Sequence, residues 1–278
     1  MPQIKRSQIA GMNIHYLFYS LDYFFAAQQK AGIESIELWG GAPHFLMDSM
    51  SYADCKKVKQ KAAQHDVEIV AFTPESIIYP YNIAAPDPDQ FEKSKLYFTN
   101  AVKAAAELGT SLMTINSGYG YLNEANEEAW KRSAEMLHHL AHAAEKEGVT
   151  IAMETLRPEE SKIVTTLEEA KRMHKEINSP AFKIMLDTVA MSVAGETMED
   201  WFAAFGEEIA HIHFVDCKPY GHLAWGDGSL DVSKQIEILN QYQYKGFLGQ
   251  EITEMKYFEK PDEVDQRIME HLTPFFNE

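Results

Sequence analysis

The chain has 278 residues, 45% hydrophobic and 24% charged, the mixture of a soluble globular protein able to remove roughly three-quarters of its unfolded surface from water. Its formal charge is 25 − 42 = −17, which gains nothing from counterion release on nucleic acid and is repelled by anionic lipid, so small molecules or metal cations are the expected partners rather than DNA, RNA or membranes. Cys55 and Cys217 are too few for a disulfide framework and lack CxxC spacing, so both are expected as reduced thiols.

Short apolar or β-branched runs alternate with longer helix-like segments. The first run is Ile9 to Ile14, and the segment Ala26 to Ala31 stops at Gly32 before the second run, Ser35 to Trp39. Glu68 to Thr73 is the third run. Phe91 to Leu108 then places Leu96, Val102, Ala105 and Ala106 near one helical face and stops at Gly109, a suitable residue for a helix end. Ser111 to Asn116 is followed by Glu124 to Glu147, rich in Ala, Glu and Lys and ending at Gly148. After the run Thr150 to Glu154, Thr166 stands three residues before Glu169, the spacing of a capping box, and opens a helix to Ile177. Phe182 to Asp187, Ile209 to Val215 and Phe247 to Ile252 complete eight runs, spaced by about 35 residues, the length of one βα unit. Several helices end just before the next run, while the connections leading out of the runs are longer. That asymmetry predicts a (β/α)8 TIM barrel, one domain over residues 1–278.

An open doubly wound sheet is the alternative. It would carry a glycine-rich phosphate turn, whereas the first turn reads Gly11-Met12-Asn13-Ile14-His15 and no GxGxxG occurs. No apolar run is long enough to span a membrane. Asn13, His15, Ser20 and Asp22 interrupt what a targeting segment after Lys5 and Arg6 would need, so the expected compartment is the cytoplasm.

In such a barrel the active site forms at the C-terminal ends of the strands. The polar residues there are Glu37 and Trp39, Glu75, Asn116, Glu154, Asp187, His213 with Asp216, and Glu251. A carboxylate ending an apolar strand such as Ile151-Ala152-Met153-Glu154 is costly to bury unless something cationic meets it. Three carboxylates and one imidazole from consecutive strands suit a divalent ion, and oxygen-rich ligation with one nitrogen favours manganese, magnesium or cobalt over a structural zinc. Glu37 and Glu75 are pocket candidates that could instead support neighbours. His15 and His44 could cap or pack, and His138, His139 and His142 lie on a long polar helix. Met153, Met185 and Met191 read as core filler.

Several segments carry a resemblance to a known family. Gly32-Ile33-Glu34-Ser35-Ile36-Glu37-Leu38-Trp39-Gly40-Gly41, Met153-Glu154-Thr155-Leu156, Leu186-Asp187-Thr188, His211-Ile212-His213-Phe214-Val215-Asp216 and Gly249-Gln250-Glu251 resemble, in order along nearly the whole chain, the xylose isomerase-like sugar isomerase/epimerase family. Its superfamily also contains the endonuclease IV-type nucleases. Trp39-Gly40-Gly41-Ala42-Pro43-His44, Thr73-Pro74-Glu75 and Tyr79-Pro80-Tyr81-Asn82 are similar to the fructoselysine 3-epimerase branch, and the ketose 3-epimerases acting on tagatose and psicose share the metal framework.

The resemblance implies Glu154, Asp187, His213 and Glu251 as ligands of one divalent metal, with Mn2+ expected and Mg2+, Co2+ or Zn2+ as alternatives. It also implies Glu154 and Glu251 as the two acid/base groups on opposite faces of a ketose. Inverting a stereocentre needs one group to remove a proton and another to return it, and a metal stabilises the developing enediolate. Glu160 and His222 match family substrate-binding positions, with Trp39, Glu75 and Asn116 as further substrate-binding candidates. Where tagatose- and psicose-type enzymes carry a substrate-holding histidine and arginine, this chain has Ala190 and Pro219. An amine-substituted or otherwise modified ketose is therefore the better expectation, with room left by those small residues. The expected activity is reversible C3 epimerisation of a ketose or fructosamine by a homo-oligomer. An aldose–ketose isomerase or inosose dehydratase uses the same chemistry. A nuclease would need extra metal ligands at Ala190 and Tyr220, and a non-catalytic sugar-binding barrel would not need both Glu154 and Glu251.

Overall fold

The structure, a computed structural model, describes residues 4–76 and 81–276. Tyr79 and Pro80 of the Tyr-Pro-Tyr-Asn segment fall outside the described residues. The eight runs become the strands of a closed parallel barrel: β1 (Ile9–Met12), β2 (Ser35–Gly40), β3 (Glu68–Pro74), β4 (Leu112–Asn116), β5 (Thr150–Glu154), β6 (Phe182–Asp187), β7 (Ile209–His213) and, last, β10 (Phe247–Gln250). Their order around the barrel is β1-β10-β7-β6-β5-β4-β3-β2. Closure comes from β1 pairing with both neighbours, Gly11 opposite Gln250 on one side and opposite Ile36 on the other. The chain is thus a (β/α)8 TIM barrel.

Between β7 and β10 stands a hairpin of β8 (Asp216–Lys218) and β9 (Tyr220–Leu223), which the pattern of runs does not announce. Asp216 organises it. Its carboxylate accepts from the amide N–H groups of Cys217, Gly226, Gly228 and Leu230 at 2.8–3.1 Å, so this strand-end carboxylate folds the loop and does not face the cleft.

The helices obey their end signals. Around the barrel lie α1 (Leu21–Ala31), α2 (Tyr52–Gln64), α3 (Pro88–Leu108), α4 (Asn126–Glu147), α5 (Leu167–Ile177), α6 (Thr188–Val193), α7 (Met198–Phe205), α8 (Val232–Gln241) and α9 (Pro261–Leu272). Gly32, Gly109 and Gly148 end α1, α3 and α4 at φ of 70°, 86° and 67°, a region that side chains with a Cβ avoid. The Thr166 hydroxyl accepts from the Glu169 N–H, as the capping-box spacing predicts. One facing assignment needs correction. Leu96 is 66% exposed, because the buried stripe of α3 runs through Ser94, Tyr97, Phe98, Ala101, Val102, Ala105 and Leu108. Residue 96 lies about 200° round the helix from Ser94.

Strand alternation builds the barrel interior in layers, since residues two apart share a face. Ala71, Leu112, Ala152 and Met185 pack together near the bottom. Two residues further along the same strands come Thr73, Thr114, Glu154 and Asp187. The larger apolar cluster lies between strands and helices and takes in Met153 and Met191, and Cys55 and Cys217 are buried free thiols. His138 and His142 are exposed and His139 bonds Thr99, so that trio stays clear of the mouth. No helix among the described residues is long and apolar enough to cross a membrane.

Candidate active site and metal centre

Four chain segments far apart in sequence deliver their side chains to one point. Glu154 ends β5, Asp187 ends β6, His213 ends β7, and Glu251 is the first residue past β10. One potential ligand atom from each lies within 4.8 Å of all the others. His213 Nδ1 sits 2.8 Å from Glu154 Oε1 and 3.1 Å from Glu251 Oε2. His222, on β9, brings its Nε2 to 2.9 Å from Asp187 Oδ2 and 3.0 Å from Glu251 Oε2.

The donor set fits a divalent ion. His213 Nδ1 is a buried atom with no well-directed hydrogen bond despite its two carboxylate neighbours. On the far side of the ring, Nε2 is 3.1 Å from Glu37 Oε1. A proton held there by Glu37 leaves the Nδ1 lone pair facing the carboxylates, the arrangement of a metal-binding histidine whose tautomer is set by an outer partner. Three carboxylates crowd this point, and their charges show in the site's proton affinities. Burial pushes Glu154 up to about 8, with Glu251 and Asp187 adding to the rise against the pull of His213. Burial would also raise Asp187 and Glu251, but His222 and His213 hold both below the usual carboxylate range. In return the carboxylates overcome burial at both imidazoles, lifting His222 to about 10 and His213 well above its ordinary value. The cluster therefore favours positive charge at this point, the electrostatic setting of a cation site.

Behind His213 runs a polar network in which Glu37 and His211 are fully buried and Thr73 and Thr114 reach the cleft. Glu37 Oε2 is 2.7 Å from His211 Nε2, Thr73 donates to Glu37 Oε1, and Thr114 donates to Thr73 at 2.8 Å. The two histidines hold Glu37 well below the usual carboxylate range against the opposing effect of its burial. Gly249 makes room for this network. A Cβ there would come within 2.5 Å of Glu37 Oε2 and 3.0 Å of His211 Nε2.

The cleft above the ligands has a volume of about 240 Å3, below the roughly 300–1,000 Å3 of drug-sized sites and suited to one small molecule. Trp39, Glu75, Asn116, Glu154, Glu160, Asp187, His222 and Glu251 all line it, so the sequence-predicted residues that the site needs do meet. Trp39 Nε1 donates to Glu75 at 2.9 Å, and Asn116 donates to Ser76 at 2.8 Å. Glu160 is gripped by Arg157, which donates from Nε at 3.0 Å and from Nη2 as well. Arg157 was not among the sequence candidates, although its place three residues before Glu160 was legible. His211 was missed too, and its signal was equally plain: it lies two residues before His213, on the same strand face. His15 and His44 serve packing, His15 on Asp265 at 2.9 Å and His44 between Asn13 and the Tyr19 carbonyl. Ala190 is buried on α6 and Pro219 exposed at the hairpin turn. Neither is among the residues lining the cleft, so the expectation that they open space for a substituent is not met.

The (β/α)8 barrel holds a carboxylate–histidine cluster at its mouth, a candidate metal site, and comparison gives the family. Residues 25–274 match the model of the Xylose isomerase-like TIM barrel family, and the chain belongs to that family. It is 28% identical to the fructoselysine 3-epimerase of Shigella flexneri over 244 residues, 87% of this chain and 88% of that one. Among solved structures, a D-psicose 3-epimerase with D-tagatose from Clostridium cellulolyticum H10 superposes with a TM-score of 0.80 at 18% identity, covering 97% of this chain and 99% of that one. The 3-keto-D-glucoside 4-epimerase YcjR from E. coli superposes with a TM-score of 0.79 at 16% identity, covering 96% and 99%.

Proposed function

We propose that this protein, acting as one barrel domain over residues 1–278, reversibly epimerises a ketose or fructosamine at C3, with Glu154, Asp187, His213 and Glu251 holding one divalent ion. The observation that carries the reading is that Glu154 and Glu251 reach the same face of His213, at 2.8 and 3.1 Å from Nδ1, while both line the sugar-sized cleft. Two carboxylates on one centre suit a reaction in which one takes a proton from carbon and the other returns one from the opposite side. An ion bound here would supply Lewis-acid stabilisation to the oxygens beside the carbon that loses its proton. Glu160, fixed by Arg157, and His222 on the hairpin would orient hydroxyl groups above the reacting carbon, with Trp39 and Glu75 forming the opposite wall and Asn116 standing beside Glu154. Manganese as the ion, a cytoplasmic location and a homo-oligomeric state belong to the same reading, the first from the oxygen-rich donor set, the second from the sequence pattern and the third from the family resemblance.

The test is product analysis in deuterium oxide with manganese present, on fructosamines, ketohexoses and inososes. Epimerisation at C3 places deuterium at C3 of the product. Label at C1 with a moved carbonyl would mean an aldose–ketose isomerase, and a dehydrated product would mean a dehydratase. Either result refutes the epimerase reading.

A further inference from the structure

At the barrel mouth β1 stops before its neighbour β2 does. The two strands pair as far as Met12 opposite Glu37. The chain then turns at Asn13, with φ −83° and ψ 3°, into a single 3-10 turn, Ile14–Tyr16. β2 runs on to Gly40, so the backbone of Trp39 lies beyond the last rung that β1 supplies. Backbone N–H and C=O groups in such a place still need partners.

The side chain of Asn13 takes the part of the missing strand. Its Oδ1 accepts from the Trp39 N–H at 2.7 Å, and its Nδ2 donates to the Trp39 carbonyl at 3.2 Å. A carboxamide carries the same acceptor and donor as a peptide unit, whereas an aspartate carries only acceptors and an aliphatic side chain neither.

His44 settles which way that amide points. Asn13 Nδ2 also meets His44 Nδ1 at 2.9 Å, and His44 Nε2 lies 2.8 Å from the Tyr19 carbonyl. Because the Trp39 N–H needs an acceptor, the amide cannot be turned over, and the ring nitrogen facing it must accept. His44 is therefore the neutral tautomer that carries its proton on Nε2. Burial pulls His44 below the usual histidine range, outweighing the opposite effect of the Tyr19 carbonyl, and so favours that form. Asn13 and His44 are both buried, yet the cleft is next door: Ile14, the following residue, and Trp39 both line it. The indole is seated over Gly41, where a Cβ would fall 1.9 Å from Trp39 Cζ2. Gly41 thus sets the ring and Asn13 the backbone that carries it.

Resting on the ketose reading, we propose that Asn13 is a positioning residue for the substrate, a side-chain rung between β1 and β2 that His44 keeps in one orientation and that fixes Trp39 as a wall of the cleft. A displacement of about 1 Å in a residue that places a substrate is enough to impair its reaction.

Hydrogen exchange tests the rung, and kinetics test its use. With isotope-labelled tryptophan in the magnesium-loaded protein, the Trp39 backbone amide is followed directly, its signal assigned by its loss in Trp39→Phe. Trp130 and Trp201, in α4 and α7, serve as internal references. Asn13→Ala should speed exchange at Trp39 at least about tenfold and leave both references within about twofold. On D-fructose and N-fructosylglycine with manganese saturating, the same variant should raise KM at least about fivefold while kcat stays within about threefold. Asn13→Asp accepts but cannot donate, so it should keep the Trp39 amide protected and raise KM by a smaller factor of about three. If Asn13→Ala fails to fold, Asn13→Asp decides, and an unchanged KM in it overturns the proposal. A Trp39 amide as protected in Asn13→Ala as in the wild type overturns it too, as does equal loss of protection at all three tryptophans or a loss of kcat with KM unchanged. Faster exchange confined to Trp39 in a protein that epimerises no ketose would support the rung and refute the ketose reading.

Discussion

Replacing Glu37 with glutamine tests whether the polar network behind His213 sets the metal-binding state of that ring. Glu37 accepts from two imidazoles, His213 at 3.1 Å and His211 at 2.7 Å, and from Thr73. A glutamine of the same shape offers one accepting oxygen and one donating nitrogen, so one imidazole N–H must face a donor or give up its proton. Leaving one buried donor unpaired costs about 1–3 kcal/mol of stability. If the ring answers by moving its proton to Nδ1, the lone pair that faces Glu154 and Glu251 is lost. Removing such an outer partner commonly weakens metal binding by about 10–100-fold, equivalent to about 1.4–2.7 kcal/mol. Calorimetric titration with manganese reads the affinity directly. Thermal melts with and without the ion read it a second way, because the metal-induced stabilisation should shrink by the same amount. A Glu37→Gln protein that melts lower without metal yet binds manganese within twofold of wild type would refute the tautomer argument and leave Glu37 a packing residue.

Other expected outcomes follow from the same geometry. Manganese should raise the melting temperature of the wild type and have little effect on Asp187→Ala, read by thermal shift; an unchanged shift in the variant would remove Asp187 from the ligand set. Glu154→Gln and Glu251→Gln should each lower kcat by more than about a hundredfold, whereas Glu160→Ala should act mainly through KM. Steady-state kinetics with metal content measured in parallel check both, and near-normal turnover in either glutamine variant would break the two-base assignment. Metal binding should also release protons at neutral pH. Glu154 keeps its proton up to about 8 in the metal-free protein and must lose it to ligate, so affinity should rise as pH climbs toward that value. Titrations in buffers of different ionisation enthalpy measure the protons released, and a pH-independent affinity across the neutral range would contradict the assignment.

Much of this molecule is determined locally and could be read from the sequence. The runs buried on both faces, the glycines that end α1, α3 and α4, and the Thr166 cap each act within a few residues. The barrel's strands and the C-terminal ends of α1, α3, α4 and α5 therefore followed from pattern alone. The cluster of Glu154, Asp187, His213 and Glu251 was legible for a related reason: a charged residue ending an apolar parallel strand has only the mouth in which to put its side chain. Where local pattern was read loosely it failed, as at Leu96, and where a strand-end carboxylate had a nearby loop to fold, as at Asp216, position did not reveal its task. The remaining decisions belong to closure of the barrel. Glu37 and His213 are 176 positions apart, and only ring closure through β1 and β10 sets them in adjacent layers. Trp39 and Glu75, 36 positions apart, meet because β2 and β3 are neighbours whose inward-facing residues reach the rim together. Period-two alternation states which side chains point inward, but which of them touch depends on the register between strands, and register is settled by how the whole barrel packs.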